Sequence, residues 1–354
     1  MSEEKLTPRS NPMFFGHEQA KELLLEGYTS GKLAHGWLIS GPRGIGKATL
    51  AYHFARMLLA GSDAMDIGES DPVFRRMIAD SHSDFRVVEP IFDPKKEEAA
   101  REITIEQARE IGQFLSLTPG ESKWRVVIVD SIDALNVKAA NAILKILEEP
   151  PPQAILMLIS HNPGALLPTI RSRCRQLRLN GLTDAEFGKI LRNIAPEIDS
   201  SLLPALREMS DRSPGIALEL FEQEAMDVYA DIVRIVSSLP KLDAKKLHSF
   251  ADSMGTGQVH AQWRLFMHLM LFLLATTVKS ASGGGTNPII DGEGAAIAQL
   301  CALHSAATWA VRWQQSQEQF LLAYRRHLDY KQVIITFFHS LASKDGFKLG
   351  STAA

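Results

Sequence analysis

A glycine-rich loop between a predicted strand and a predicted helix constrains the fold of this chain more than any other feature. The apolar run Gly36–Ser40 leads into the loop GPRGIGK at residues 41–47, and a helical pattern follows it. Glycines let backbone N–H groups curl around phosphate oxygens, and the lysine of such a loop reaches the terminal phosphates. The sequence therefore predicts an α/β domain with a phosphate-binding loop of the nucleotide type.

The loop matches the P-loop spacing, but one of its parts is missing. Ala48 stands where Ser or Thr would place a hydroxyl on Mg²⁺, and Thr49 comes one residue late. The candidate nucleotide-binding residues of this loop are Gly41, Gly44, Gly46, Lys47, Ala48 and Thr49. Two interpretations stay open at this point: the loop holds ATP or ADP without hydrolysing it, or it holds no nucleotide.

A second candidate lies at the end of the predicted strand Arg125–Asp130. In P-loop ATPases an aspartate at this place holds Mg²⁺, and a following residue orients the attacking water. Here Ser131 follows Asp130, and a serine hydroxyl is no general base without an activating partner. Asp133 comes two residues later, in a turn whose direction the sequence does not fix. Both departures, at 48 and 131, affect metal and water handling, which argues against autonomous ATP hydrolysis.

The pattern of apolar residues changes twice along the chain. Up to Leu179, short β-branched runs alternate with helical patterns, as in a parallel α/β sheet. The predicted strands are Gly36–Ser40, Phe85–Glu89, Arg125–Asp130, Ala154–Ser160 and Cys174–Leu179. After Leu179 the sequence predicts only helices, the first of which starts at Thr183 and Asp184. We expect an α/β domain over 1–180, a small helical domain over 181–238 and a larger all-helical domain over 239–354.

Charge and cysteine usage exclude several classes of protein. The chain has 38 Lys and Arg against 41 Asp and Glu, so no global basic field attracts it to nucleic acid, and a passive DNA-binding module is disfavoured. Cys174 and Cys301 lie too far apart for a disulfide framework or a thiolate zinc site, which fits a reducing, cytoplasmic setting. The most apolar stretch, Leu265–Val278, is shorter than the roughly 20 residues of a membrane span and carries His268. We expect it to form a buried helix, with no membrane contact.

Two further motifs carry a resemblance to a known family. The segment NAILKILEEPP at 141–151 is followed by a predicted strand and then by RSRC at 171–174. In this order the motifs resemble the clamp-loader branch of the AAA+ ATPases, strongly over residues 15–179 and in outline beyond. The resemblance implies an α/β P-loop (AAA+) parallel-sheet domain, a small helical lid domain and a C-terminal all-α collar domain for oligomerisation.

The same resemblance implies a function and a set of partners. Members of the family work in the DNA polymerase III holoenzyme, as a pentameric ring of motor ATPase subunits, a clamp-opening subunit and a further member. The ring loads a sliding clamp onto primed DNA. The resemblance makes Arg173, flanked by Ser172 and Cys174, an arginine finger that reaches the ATP of a neighbouring motor subunit. Such a finger can raise the rate about 10³–10⁵-fold. The alternative is a solvated basic edge made of Arg171, Arg173, Arg175 and Arg178.

Departures from the family pattern favour the member that does not hydrolyse ATP. Gly215 stands where motor subunits carry an arginine that touches the γ-phosphate. The four-cysteine zinc module of many relatives has no counterpart between Leu59 and Asp84, where we expect a plain helix over Pro72–Ile78, no zinc, and His82 as a surface or capping residue. An autonomous AAA+ ATPase motor subunit is the alternative.

Two charged or aromatic regions are predicted to be structural. Lys145, Glu148 and Glu149 end an amphipathic helix, where charged tips are usually solvated. The segment 309–326 mixes Trp and Tyr with Arg, and in a helical domain such residues more often pack than contact DNA.

Overall fold

The computed structural model describes residues 6–92, 101–255, 259–343 and 346–349. The chain divides into two compact units, one of Met1–Glu197 with Asp211–Ile216 and the other of Ile198–Ser210 with Ala217–Ala354. The predicted borders near 180 and 238 between three domains stay a prediction.

The first unit alternates helices and strands up to residue 194. Its helices are α1 (Glu18–Thr29), α2 (Lys47–Ala60), α3 (Pro72–Ile78), α4 (Ile105–Ser116), α5 (Val137–Glu148), α6 (Pro168–Arg173) and α7 (Asp184–Ile194). Its strands are β1 (Gly36–Ser40), β2 (Phe85–Val88), β3 (Ile91–Phe92), β4 (Arg101–Glu102), β5 (Arg125–Asp130), β6 (Ala154–Ser160) and β7 (Arg175–Arg178).

Five of these strands form one parallel sheet in the order β2-β5-β6-β1-β7. Side chains alternate across the sheet, so Trp37 and Ile39 of β1 join the core under α1 and α2, while Leu38 joins the core under α4 and α5. Both faces are therefore covered, as the run of β-branched residues predicts. The carboxyl ends of β1, β5 and β6 lie side by side and carry Ser40, Asp130 and Ser160.

The predicted parallel α/β class is confirmed, and most predicted bounds match. β1, β5 and β6 have the predicted ends, whereas the β2 strand stops at Val88 and the β7 strand covers only Arg175–Arg178. The helix over Pro72–Ile78 forms as predicted, and α7 begins with Thr183 in a capping box. The antiparallel pair of β3 and β4 was not predicted.

The second unit is helical in its described part. Its helices are α8 (Leu203–Met209), α9 (Pro214–Glu222), α10 (Ala225–Val236), α11 (Ala244–Ser253), α12 (Val259–Ala281), α13 (Glu293–Leu303), α14 (Ala306–Arg325) and α15 (Tyr330–Ala342). The first three residues of α9 belong to the first unit.

Among the described residues, α12 is the one helix whose length and composition would allow it to cross a membrane. A second such segment arises only if α13 and α14, bent by 104°, count as one span. Leu269, Met270 and Leu273 of α12 are buried within the unit, and a core helix of a soluble domain has the same length and composition. The predicted buried helix over Leu265–Val278 is part of α12.

The aromatic and basic residues of α14 pack inside the second unit. Trp309 is fully buried and donates from Nε1 to the Leu300 carbonyl, while Trp313 donates to Leu271 O. Arg312 is only 5% exposed and donates to the carbonyl oxygens of Ser340 and Leu341. The structure therefore places these three side chains in packing roles, as the helical pattern favours.

Candidate functional site

The glycine-rich loop joins β1 to α2 at the carboxyl edge of the sheet. Gly44 has φ of 73° and Gly46, the residue before α2, has φ of 103°. L-residues with a side chain rarely adopt these angles, which explains glycine at both positions. The loop therefore has the strand-loop-helix context that the P-loop prediction needs.

The lysine of the loop is directed back at the loop itself. Lys47 is 3% exposed, and its Nζ donates to Gly41 O at 2.8 Å and to Pro42 O at 2.6 Å. Burial lowers the pKa of Lys47 to about 8, and the nearby carboxylates of Asp130 and Asp133 oppose that change. Two of the three donors of the ammonium are thus engaged within its own loop.

The next three carbonyl oxygens of the loop also have partners in the first unit. Ser213 Oγ donates to Arg43 O at 2.6 Å, and the Gly215 N–H donates to Gly44 O at 2.9 Å. Nε2 of His17 lies 2.9 Å from Ile45 O, which fixes the tautomer with the proton on Nε2. The segment 213–216 is therefore bound directly to the back of the phosphate loop.

This close approach gives a structural reason for Gly215. A Cβ at Gly215 would lie 2.8 Å from Gly44 Cα and 3.0 Å from Gly44 O. A Cβ at Gly44 would in turn lie 2.5 Å from Ser213 Oγ. Any side chain at position 215 would therefore force the two backbone segments apart.

Asp130, the last residue of β5, and Asp133, in the turn that follows, differ from each other in their surroundings. Burial raises the pKa of Asp130 to about 6, and the charges of Glu89 and Asp133 add to the change while Lys47 opposes it. Asp133 accepts from Ser160 Oγ at 2.7 Å and from the His161 N–H at 2.6 Å. The side chain of Asp133 therefore ties the turn after β5 to the end of β6.

The side chains at positions 48, 49 and 131 do not fit the magnesium site of a P-loop ATPase. Ala48 has no hydroxyl, Thr49 follows one helical position later, and Ser131 replaces the acidic residue after Asp130. In the described part of the chain, no group of three or more His, Cys, Asp and Glu side chains is placed to hold a metal ion. The loop thus keeps the strand-loop-helix geometry of a P-loop, while the magnesium ligands of a P-loop ATPase are incomplete.

The Ser-Arg-Cys motif lies at the junction of α6 and β7. Cys174 is buried, and a Cβ at Gly36 would lie 3.6 Å from its Sγ and 2.7 Å from Leu147 Cδ2. Burial raises the pKa of the Cys174 thiol to about 12, so the residue acts in packing. The backbone of the motif is thereby fixed against the start of β1 and the end of α5.

The side chain of Arg173 extends from this fixed backbone and is 37% exposed. Its Nη2 lies 2.8 Å from Glu148 Oε1, and its Nη1 donates to Thr169 O at 3.1 Å. Ser172 Oγ donates to the same carbonyl oxygen at 3.1 Å. Glu148, predicted to be a solvated helix tip, is therefore an ion-pair partner of Arg173.

The segment that ends at Asp84, where the sequence predicts a helix and no zinc, is organised by a buried carboxylate. Asp84 accepts from the N–H groups of Gly120, Glu121 and Ser122 at 2.7–2.9 Å. Burial opposes ionisation, but these three donors and the Arg125 guanidinium lower the pKa of Asp84. His82 is buried, not at the surface, and its Nδ1 accepts from the Asp84 N–H, so the expected capping role describes it better.

The sheet order and the glycine-rich loop at its carboxyl edge define an α/β protein of the P-loop type. Residues 16–183 match the family model described as DNA polymerase III, delta subunit. A similar relative is DNA polymerase III subunit delta' of Pseudomonas aeruginosa, 37% identical over 210 residues that cover 59% of this chain and 62% of the relative. The chain is thus similar to DNA polymerase III subunits of the delta' and gamma types.

Gamma-subunit relatives are also similar. DNA polymerase III subunit gamma of Buchnera aphidicola subsp. Schizaphis graminum is 28% identical over 251 residues, which cover 70% of this chain and 67% of the relative. A solved structure of a DNA polymerase III gamma subunit-related protein from Thermotoga maritima is 19% identical, with a TM-score of 0.39, over 86% of this chain and 99% of that one. The chain spans about three fifths of the Pseudomonas relative and two thirds of the Buchnera relative.

Proposed function

We propose that this chain is the delta'-like subunit of a bacterial DNA polymerase III clamp loader. It supplies Arg173 in trans to ATP bound on a neighbouring motor subunit and does not hydrolyse ATP itself. Its partners are the motor subunits and the clamp-opening subunit of a pentameric ring, and it meets the sliding clamp and primed DNA through that ring. The complex works in the cytoplasm.

The position of Arg173 is the observation that carries this proposal. A buried cysteine and the start of β7 fix its backbone, while more than a third of its side chain is open to solvent. A finger needs both properties, because its guanidinium has to reach a phosphate outside its own chain with little loss of side-chain entropy. The 37% identity to a delta' subunit supports the same assignment.

The loop geometry supports the absence of hydrolysis. Lys47 binds two carbonyl oxygens of its own loop, position 48 lacks the magnesium hydroxyl, and Ser131 is no general base. Asp133 cannot replace the missing base, because it accepts hydrogen bonds from the end of β6.

The test uses a clamp loader reconstituted with the motor and clamp-opening subunits of the same organism. Arg173→Ala is expected to lower the ATPase rate stimulated by clamp and primed DNA by about 100-fold or more at the affected interface, because a finger in trans contributes about 10³–10⁵-fold. Arg178→Ala removes an exposed arginine from the other end of β7 and is the control, expected to keep the wild-type rate.

The same preparation separates the autonomous motor from the proposed function. Phosphate release by the isolated chain is expected to equal that of Lys47→Ala. Hydrolysis by the isolated wild-type chain that Lys47→Ala abolishes would favour the motor. Stimulated ATPase that survives Arg173→Ala would contradict the finger.

A further inference from the structure

The one charged partner of the Arg173 guanidinium among the described residues is the carboxylate of Glu148. The two side chains come from the ends of different helices, α5 and α6, and their charged atoms are 2.8 Å apart. Glu148 is 48% exposed and Arg173 37%, so the pair is accessible to solvent and to a neighbouring molecule.

The helix α5 itself gives no reason for an acidic residue at this place. Glu148 is its last residue, where the carbonyl end of the helix carries partial negative charge and disfavours a carboxylate. Lys145, one turn earlier, is the type of residue that this end favours. The interaction that favours an acid at 148 is therefore the one with Arg173.

The position of Glu148 is fixed as firmly as that of the arginine. The preceding residue, Leu147, is buried, and its carbonyl oxygen lies 3.1 Å from His35 Nε2. Gly36 lies close to both Leu147 and Cys174, so the end of α5 and the Ser-Arg-Cys motif share one packing contact at the start of β1. Both ends of the ion pair are thus held by the sheet and not by mobile loops.

We propose that Glu148 is a positioning residue that holds Arg173 in an intrachain ion pair until a phosphate group on a neighbouring subunit replaces it. This inference rests on the proposed function of Arg173. Glu148 engages Nη2 and Thr169 O engages Nη1, so phosphate oxygens that bind both Nη atoms compete with these two interactions. A triphosphate carries more negative charge than one carboxylate, so it displaces Glu148, whereas an empty neighbouring site does not.

The physical size of the effect follows from the exposure of the pair. Exposed ion pairs contribute little, and their loss corresponds to about 1.5- to 5-fold in an equilibrium constant. The holding contact is therefore strong enough to bias the resting arginine and weak enough to be broken by ATP. It also weakens with salt, since exposed charges are screened.

The experiment measures ATPase rates of the reconstituted clamp loader that contains Glu148→Gln, at low and at high salt. At low salt we expect the unstimulated rate to rise about 1.5- to 5-fold and the KM for ATP to fall by a similar factor. The stimulated kcat stays at the wild-type value, because Glu148 no longer binds Arg173 in the engaged state. At high salt the variant and the wild type converge.

Glu149→Gln is the matched control, because it removes the same charge from the adjacent residue, which forms no ion pair with Arg173 in the described structure. It is expected to behave as wild type. Glu148→Asp, which keeps the charge on a shorter side chain, is expected to restore part of the wild-type KM.

The outcomes separate this inference from the proposed function. If Arg173→Ala abolishes stimulation while Glu148→Gln matches wild type at low salt or lowers the stimulated kcat, the holding role is wrong and the finger stands. If Arg173→Ala leaves the stimulated ATPase rate intact, both the finger role of Arg173 and the holding role of Glu148 are wrong. A change in Glu149→Gln equal to that in Glu148→Gln would reduce the effect to net charge and overturn the inference.

Discussion

The phosphate loop and the Ser-Arg-Cys junction belong to the same unit but use their cations in opposite ways. Lys47 is 3% exposed and directs its ammonium at its own loop, whereas Arg173 is 37% exposed and lies beside the carboxylate of Glu148. The segment 213–216 donates hydrogen bonds to carbonyl oxygens of the loop, while the arginine extends from the end of a helix. The comparison teaches that two cations of one unit can have opposite surroundings, since the lysine is satisfied within its own loop and the arginine stays open to a neighbouring molecule.

The largest effect is expected where the loop meets the segment 213–216. Gly215→Ala places a Cβ within 3.0 Å of the Gly44 backbone, so the two segments must separate. We expect a loss of about 1–3 kcal/mol in the free energy of unfolding, the usual cost of overpacking. The fall in melting temperature, followed by circular dichroism, measures it.

Gly181→Ala provides the control for this prediction. A methyl group added at Gly181 would meet nothing within 4 Å, and the residue has no positive φ, so alanine there is expected to be neutral or slightly stabilising. Trypsin cleavage after Arg212 gives a second readout, because separation of the segment from the loop exposes this bond. If Gly215→Ala melts like wild type and is cleaved no faster, the loop is not held by this contact.

The second prediction concerns the raised pKa of Asp130. Its pKa in the folded chain is about 6, above its ordinary 3.8, so the ionised carboxylate destabilises the fold at neutral pH and this penalty disappears as the pH falls through 6 toward 4. Asp130→Asn is therefore expected to be more stable than wild type at pH 7.5 by about 1–3 kcal/mol, since one pKa unit corresponds to about 1.4 kcal/mol and the raised pKa already includes the attraction to Lys47.

Urea unfolding at a series of pH values tests this expectation. The difference between Asp130→Asn and wild type should shrink to zero near pH 4, where both side chains are uncharged. Asp63→Asn makes the same change of charge at an exposed aspartate and should show no such dependence. A variant that is less stable at pH 7.5 would show that the Lys47 interaction dominates.

The sequence predicted the helices and strands better than the side-chain contacts within the candidate sites. Strong β-branched runs gave the ends of β1, β5 and β6, and the capping pattern at Thr183 gave the start of α7. The P-loop followed from its glycines, because their spacing is local. The pair of β3 and β4 was missed, since strands of two residues carry no periodic signal.

Contacts between residues distant along the chain could not be predicted from the sequence. Glu148 and Arg173 are 25 positions apart, and periodicity assigned the acid to a solvated helix tip. The binding of Ser213 to Arg43 O and of Gly215 to Gly44 O joins segments about 170 residues apart. The direction of Asp133 was open until β6 was placed beside β5, because only then does Ser160 become its neighbour.

The smallest expected effect is that of magnesium on the phosphate loop. With alanine at 48 and serine at 131, Mg²⁺ has too few ligands to add to any affinity that the backbone N–H groups provide. The melting temperature of the isolated chain with ATP is therefore expected to be the same with and without Mg²⁺, and any effect of Mg²⁺ on nucleotide affinity should stay below about twofold. Ala48→Ser restores the missing hydroxyl and should produce a small gain that requires Mg²⁺. A melting temperature of the wild type that rises with ATP only in the presence of Mg²⁺ would show that the loop binds a metal-bound nucleotide. The loop and Arg173 would then differ in catalysis and not in whether they bind phosphate.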